Sequence, residues 1–250
     1  MGGVAWRRLL RVGLDVLFAF VLPISLLSPG ALHLPWRASD HLGVAGAYVL
    51  AGLIPAAYAV WDTLRHKSLN PFVLFALGSA LSGGLLSFAR VDGVWFALKD
   101  AYHSALLALA CGVSLLVGHP LFELIFYGLL SPDTPERGAL LRRVLTEANV
   151  RSRLGWATAL VLVKAVVLGV VSFLVARSIV TAPFGTPDFN AQVAHAHTLT
   201  FPLALALDFF AYGGALLLVQ AALNAALGTR VRVWEAGLWR ALEAHSGPAS

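Results

Sequence analysis

Long apolar runs alternate with short polar tracts that carry most of the arginines, and the length of the runs gives the pattern its meaning. A bilayer core of about 30 Å needs roughly 20 apolar residues at about 1.5 Å of rise each. Six stretches approach that length: Val12 to Leu27, Gly43 to Trp61, Phe72 to Ala89, Val94 to Val117, Trp156 to Ala176 and Leu199 to Leu227. Each predicts a transmembrane helix. Together they predict an all-α polytopic bundle forming one integral domain over residues 1–250. Pro23 and Pro55 fall inside the first two runs. A helix in water would break at either, whereas in a membrane neighbouring helices and local adjustment satisfy the freed carbonyl. After the fourth run, His119-Pro120-Leu-Phe-Glu-Leu-Ile-Phe-Tyr127 is apolar but about half the length of a span, which predicts an interfacial or re-entrant segment.

Arginine and lysine resist translocation, whereas acidic residues contribute little to orientation. Thirteen of the 18 basic residues fall on one predicted side: Arg7, Arg8 and Arg11, then Arg65 and Lys67, then Arg137, Arg142, Arg143, Arg151 and Arg153, then Arg230, Arg232 and Arg240. Arg37, Arg90 and Arg177 face the other side. The expectation is a multi-pass membrane protein with both termini cytoplasmic. Asp15 within the first run and the lack of an A-x-A site argue that this run is a retained helix rather than a cleaved signal.

Two basic segments carry apolar residues at helical spacing. In the loop from Ser131 to Leu154, Leu140, Leu141, Val144 and Leu145 surround Arg142 and Arg143. In the tail, Trp234, Leu238, Trp239 and Leu242 alternate with Arg232, Glu235, Arg240 and Glu243. Both predict short amphipathic helices on the inner leaflet, in contact with anionic headgroups.

Composition sharpens the membrane reading. The chain is 58% hydrophobic and only 12% charged, against about one-quarter charged in ordinary globular proteins. Its net charge of +5 sits in tracts between apolar runs rather than along one polar face, so a nucleic-acid partner is not expected. The single cysteine, Cys111, excludes an intrachain disulfide and a cysteine-based zinc site.

Ionisable residues inside a span cost roughly 2.5 to 3.5 kcal/mol each at its centre, so each needs a reason. Asp15, Lys99, Asp100, Lys164 and Asp208 are of this kind, and His103 stands one turn beyond Lys99 and Asp100. Asp15, one turn from Arg11 near the cytoplasmic face, reads as a local charge pair. Asp208 lies roughly 14 Å from the outer end of its run and Lys164 roughly 12 Å from the inner end of its own, which sets them within a turn of one level. The expectation is a buried Lys164–Asp208 pair with Asp100 and His103 near it, as a structural contact or a proton or ion relay. Lys99 and Asp100, being shallower, also have the option of snorkelling to the outer interface.

His195 and His197 with Asp188 resemble a metal-binding set, but an exposed outer loop with two histidines is the simpler reading, and no metal or cofactor is expected. Gly43, Ala47 and Ala51 in the second run, and Ser79, Gly83 and Ser87 in the third, recur every four residues and predict close helix packing. Gly213 and Gly214 beside Tyr212 read the same way. No Walker lysine loop, nucleophile elbow or zincin motif is present.

From about Asp15 to Leu130, the order of landmarks resembles a bacterial inner-membrane family, intracellular septation protein A and its poorly characterised relatives. The landmarks are Pro23, Pro55, the Arg65-His-Lys67 turn, Asn70-Pro71, Ser82-Gly83-Gly84, Asp92-Gly-Val-Trp-Phe-Ala-Leu-Lys99, Gly112-Val-Ser114 and Gly118-His-Pro120-Leu121. His119 stands where relatives carry Arg or Lys. The resemblance covers about half of the chain and fades after Leu130. It implies a role in the cell envelope beside division or elongation machinery, with no known substrate or reaction.

Three readings follow in order: a non-enzymatic envelope protein working through helix and lipid contacts, a small secondary transporter or proton-coupled carrier using the interior charges, and a membrane-embedded enzyme. Reporter fusions in the Arg137 to Arg153 connection should report a cytoplasmic location; an external signal there overturns the orientation.

Overall fold

In hydrocarbon a backbone amide has no water to bond to, so an apolar chain must satisfy its own N–H and C=O groups, and helices do this within one segment. The computed structural model describes residues 17–27, 38–66, 78, 81–82, 84–130, 132, 134–233, 235 and 237–245. Among them every regular element is helical. A π-helical turn, Leu17–Val21, leads into α1 (Leu22–Leu27), followed by α2 (Ala38–His66), α3 (Gly93–Asp100), α4 (Tyr102–Leu116) and α5 (Leu121–Leu130). Then come α6 (Pro135–Leu145), α7 (Ala148–Ile179), α8 (Pro187–Leu227) and α9 (Gly237–His245).

Among the described residues three helices are long and apolar enough to cross a membrane: Asp40–Trp61 within α2, α7, and α8. A fourth crossing results if α4 and α5, bent by 106°, form one broken span. The fourth predicted run is occupied by α3 and α4, with only Ala101 between them, still in the right-handed helical region at φ −76° and ψ −7°. Much of the first and third predicted runs lies outside the described residues, as do Asp15, Ser79 and Gly83.

The chain forms two units, and α7 and α8 contribute to both. The first unit comprises residues 1–103 and 169–203. Its core gathers Tyr48 and Ala51 of α2, Phe96 and Ala97 of α3, Ala176 of α7, and Phe189, Val193 and Ala196 of α8. Phe189 is its hub, with ring centroids 5.2 Å from Phe96, 5.3 Å from Phe184 and 5.5 Å from Tyr48, all edge-on. Edge-to-face packing suits the ring quadrupole.

Small residues bring α2 against the end of the third predicted run. A Cβ placed on Gly52 would stand 2.5 Å from the Ser87 Cβ, and one on Gly84 would stand 2.9 Å from the Ala56 Cβ. Ala47, Ala51 and Ser87, all expected in packing, are buried. Gly43 plays a different part. It is exposed, with φ 69° and ψ 164°, and it interrupts the helical backbone of α2. That left-handed φ is cheap only for glycine. Just beyond it, Asn190 Nδ2 of α8 donates to the Val44 carbonyl at 3.0 Å and ties the two helices together.

The second unit comprises residues 104–168 and 204–250. Its core joins Phe122 and Phe126 of α5, Leu141, Val144 and Leu145 of α6, Val150, Leu154 and Val161 of α7, Val219 and Leu223 of α8, and Leu238 and Leu242 of α9. The break between α4 and α5 turns on Gly118 at φ 75°. Arg151 Nη2 donates to the Gly118 carbonyl at 2.6 Å, Ser114 Oγ accepts from the Leu121 amide at 3.1 Å, and buried Thr158 Oγ1 accepts from the Phe122 amide at 3.0 Å. These side chains replace the helical partners that the break removes.

The end of α8 holds the tail in a similar way. Asn224 Oδ1 accepts from the Val231 amide and Gln220 Oε1 from the Val233 amide, each at 2.9 Å, while Gln220 Nε2 donates to the Val231 carbonyl. This folds α9 onto α6. Arg137 of α6 then lies 3.7 Å from Glu243 and over the Trp239 ring at 5.4 Å, and His245 Nε2 lies 3.1 Å from Glu147. The sequence predicted that both amphipathic helices would lay their apolar faces on the inner leaflet. Instead Leu141, Leu145, Leu238 and Leu242 are buried in protein, because two short apolar stripes brought together by the Gln220 and Asn224 clamp cover each other.

Gly52→Ala should destabilise the protein by about 1 to 3 kcal/mol, the usual cost of overpacking a tight contact. Gly155→Ala in α7, which has open space beside it, should be neutral or stabilising by up to about 1 kcal/mol. Unfolding in detergent micelles followed by circular dichroism measures both, and equal effects would refute the close crossing.

Candidate functional site

Two charge pairs occupy the described interior, one in each unit. In the second unit, Lys164 stands on α7 eleven residues beyond Arg153, about 16 Å along the helix. Its Nζ lies 2.5 Å from Asp208 Oδ1 on α8. The two side chains are unequally covered: Lys164 is 10% exposed and Asp208 is 43% exposed. Oδ1 itself is buried, so the exposure belongs to the remainder of the Asp208 side chain. One turn further along α8, the Tyr212 ring centroid is 5.4 Å from Lys164 Nζ, a cation–π distance. Cys111 of α4, fully buried, is close enough to interact electrostatically with both Lys164 and Tyr212. An ammonium held by a carboxylate and a ring face recovers part of the solvation lost on burial.

In the first unit, Asp100 ends α3 and takes its partner from α8. His197 Nε2 donates to Asp100 Oδ1 at 2.8 Å, with the histidine 40% and the aspartate 15% exposed. Lys99 Nζ donates to the Ala89 carbonyl at 3.2 Å and stands 4.7 Å from the Tyr48 ring and 5.3 Å from the Phe96 ring. His103 is exposed, with its ring edge-on to Tyr102 at 5.3 Å, and Tyr102 Oη donates to Ser82 Oγ at 3.1 Å.

Of the residues the sequence singled out, the structure thus joins Lys164 to Asp208, and gives Asp100 a partner that had been assigned to a loop. His195 and His197 are helical, because α8 begins at Pro187. The signal for this was in the chain: Phe189, Val193 and Ala196 recur at helical spacing and are buried, but interspersed Asn, Gln and His mask the run's hydropathy. His195 stays exposed while His197 turns to Asp100. Among the described residues no three His, Cys, Asp or Glu side chains converge as metal ligands would. Tyr212 and Cys111 are the further members of the Lys164 site. Neither carried a chemical signal of its own in the sequence, since an apolar run with one Tyr or Cys reads as packing.

The arrangement can hold charge and shuttle a proton between a carboxylate and a nitrogen base at two places. Comparison of the chain with family models, with curated proteins and with solved structures finds no match in any of the three.

Removing one member of a buried ion pair costs roughly 3 to 5 kcal/mol, and half-exposed Asp208 places this pair at the lower end. Asp208→Ala should therefore destabilise more than Lys164→Met, because it strands the better buried charge, and the double variant should recover stability toward wild type. Thermal unfolding of the three variants in micelles measures this; additive losses would mean that the pair contributes no coupling.

Proposed function

We propose that this chain is a non-enzymatic integral protein of the bacterial inner membrane, with six spans and cytoplasmic termini, that acts in the cell envelope beside the division or elongation machinery. The observation that carries the reading is local closure of the interior polar groups. Lys164 is matched by Asp208, Asp100 by His197, and Lys99 by a carbonyl and two rings, as in a protein whose interior polar groups secure helix contacts. The resemblance of residues 15–130 to the septation protein A family supplies the envelope role.

The surface supports the membrane placement. Exposed Arg153 and Arg177 stand 24 positions apart on α7, about 36 Å of helical rise, enough to cross a hydrocarbon core of about 30 Å. Exposed Trp156 sits one turn inside Arg153, Trp61 ends the apolar part of α2, and Trp95 follows exposed Arg90, positions that suit aromatic belts. Arg142, Arg143, Arg151, Arg230 and Arg240 are exposed around α6 and α9. Because these two helices spend their apolar faces on each other, contact with anionic lipid there is electrostatic rather than insertive.

A second reading, a small proton-coupled carrier, is favoured by one observation: Asp208 is 43% exposed beside a well-covered lysine in the middle of an apolar helix. The two readings separate cleanly. A scaffold should give in-cell crosslinks from positions 143 and 240 to division or elongation proteins, and no flux in proteoliposomes. A carrier should give proton-dependent uptake that Asp208→Asn abolishes, without those crosslinks.

A further inference from the structure

The Lys164–Asp208 pair is built asymmetrically, and the asymmetry points to exchange of a proton. The lysine is enclosed by Asp208, the Tyr212 ring and the neighbourhood of Cys111, while the carboxyl keeps one buried oxygen on the lysine and turns its remainder outward. Leu205, one turn before Asp208 on the same side of α8, is exposed, as is Val167 one turn beyond Lys164 on α7. The carboxyl therefore borders an exposed apolar surface. A carboxylate anion facing such a surface is poorly solvated, whereas a carboxylic acid is tolerated far better.

We propose that Asp208 is a proton-exchanging carboxyl open to the membrane phase, with Lys164 as its proton donor and counter-charge. In the exchange, one N–H bond of the Lys164 ammonium breaks and an O–H bond forms on Asp208, giving an uncharged acid and amine; the reverse transfer restores the ion pair. No other reactant is needed. Among the described residues the titratable groups that interact electrostatically with the pair are Tyr212 on α8, through Asp208, and Cys111 on α4, through Lys164, both uncharged in their protonated forms. The inference rests on the site of the second reading, and names the proton as its ligand, but it does not require net flux.

An apolar carbodiimide tests it. Dicyclohexylcarbodiimide partitions into hydrocarbon and reacts with a protonated carboxyl: the acid proton moves to one carbodiimide nitrogen, the carboxyl oxygen adds to the central carbon, and an acyl shift leaves a stable N-acylurea. Applied to the full chain in native membranes and mapped by peptide mass, it should modify Asp208 several-fold more than Asp100, which is better covered and bound by His197. Asp208→Asn should abolish that adduct. Lys164→Arg keeps the positive charge but cannot give up its proton, so it should suppress labelling, whereas Lys164→Gln should raise it by removing the charge that holds the anion. Absence of the Asp208 adduct in the folded protein, while the detergent-unfolded chain is labelled, overturns the proposal. So does a Lys164→Arg protein labelled as strongly as wild type. Labelling without proteoliposome uptake would remove the carrier reading and leave the proton site standing.

Discussion

Hydrocarbon cannot hydrogen-bond, and that single property of the surrounding phase sets the terms on which each part of this molecule is built. An uninterrupted helix meets it without help. Every departure from a helix, and every charge placed within one, must bring its own partner. The break at Gly118 is tolerated because Arg151, Ser114 and Thr158 reach the three backbone groups left around it. The descent of the tail is met by Gln220 and Asn224. In each case side chains take over bonds that helical geometry would have supplied.

The same constraint explains how the interior charges are arranged. Among the described interior residues each unit has one carboxylate facing one nitrogen base, and each pair uses α8 for one member. Lys99 has a softer solution in a carbonyl and the faces of two aromatic rings, which accept a cation without introducing a countercharge. These are economical ways to seat a charge between packed helices. They become functionally suggestive only where the cover is uneven, as it is at Asp208.

Around α6 and α9, a different competition is decided. A short amphipathic helix can bury its apolar stripe in lipid or in protein, and the gain per unit area is similar. Here the tail is tied to α8 by three backbone bonds, so α9 meets α6 at high effective concentration and the protein contact wins. The arginines around the two helices stay exposed.

The all-helical class was written in the length of the apolar runs, because a 20-residue stretch without charge has few alternatives to a helix. Lys164 and Asp208 could be set at one level by counting residues, since helical rise is nearly constant. Counting along a helix says nothing about which face a residue presents or which neighbour it meets. Only the tertiary structure gave Asp100 to His197, set Gly52 against Ser87 and Gly84 against Ala56, and turned the apolar stripes of α6 and α9 toward each other. The pattern along the chain records how much surface must leave water, whereas the choice of partner depends on contacts between residues far apart in sequence, and no local pattern encodes those.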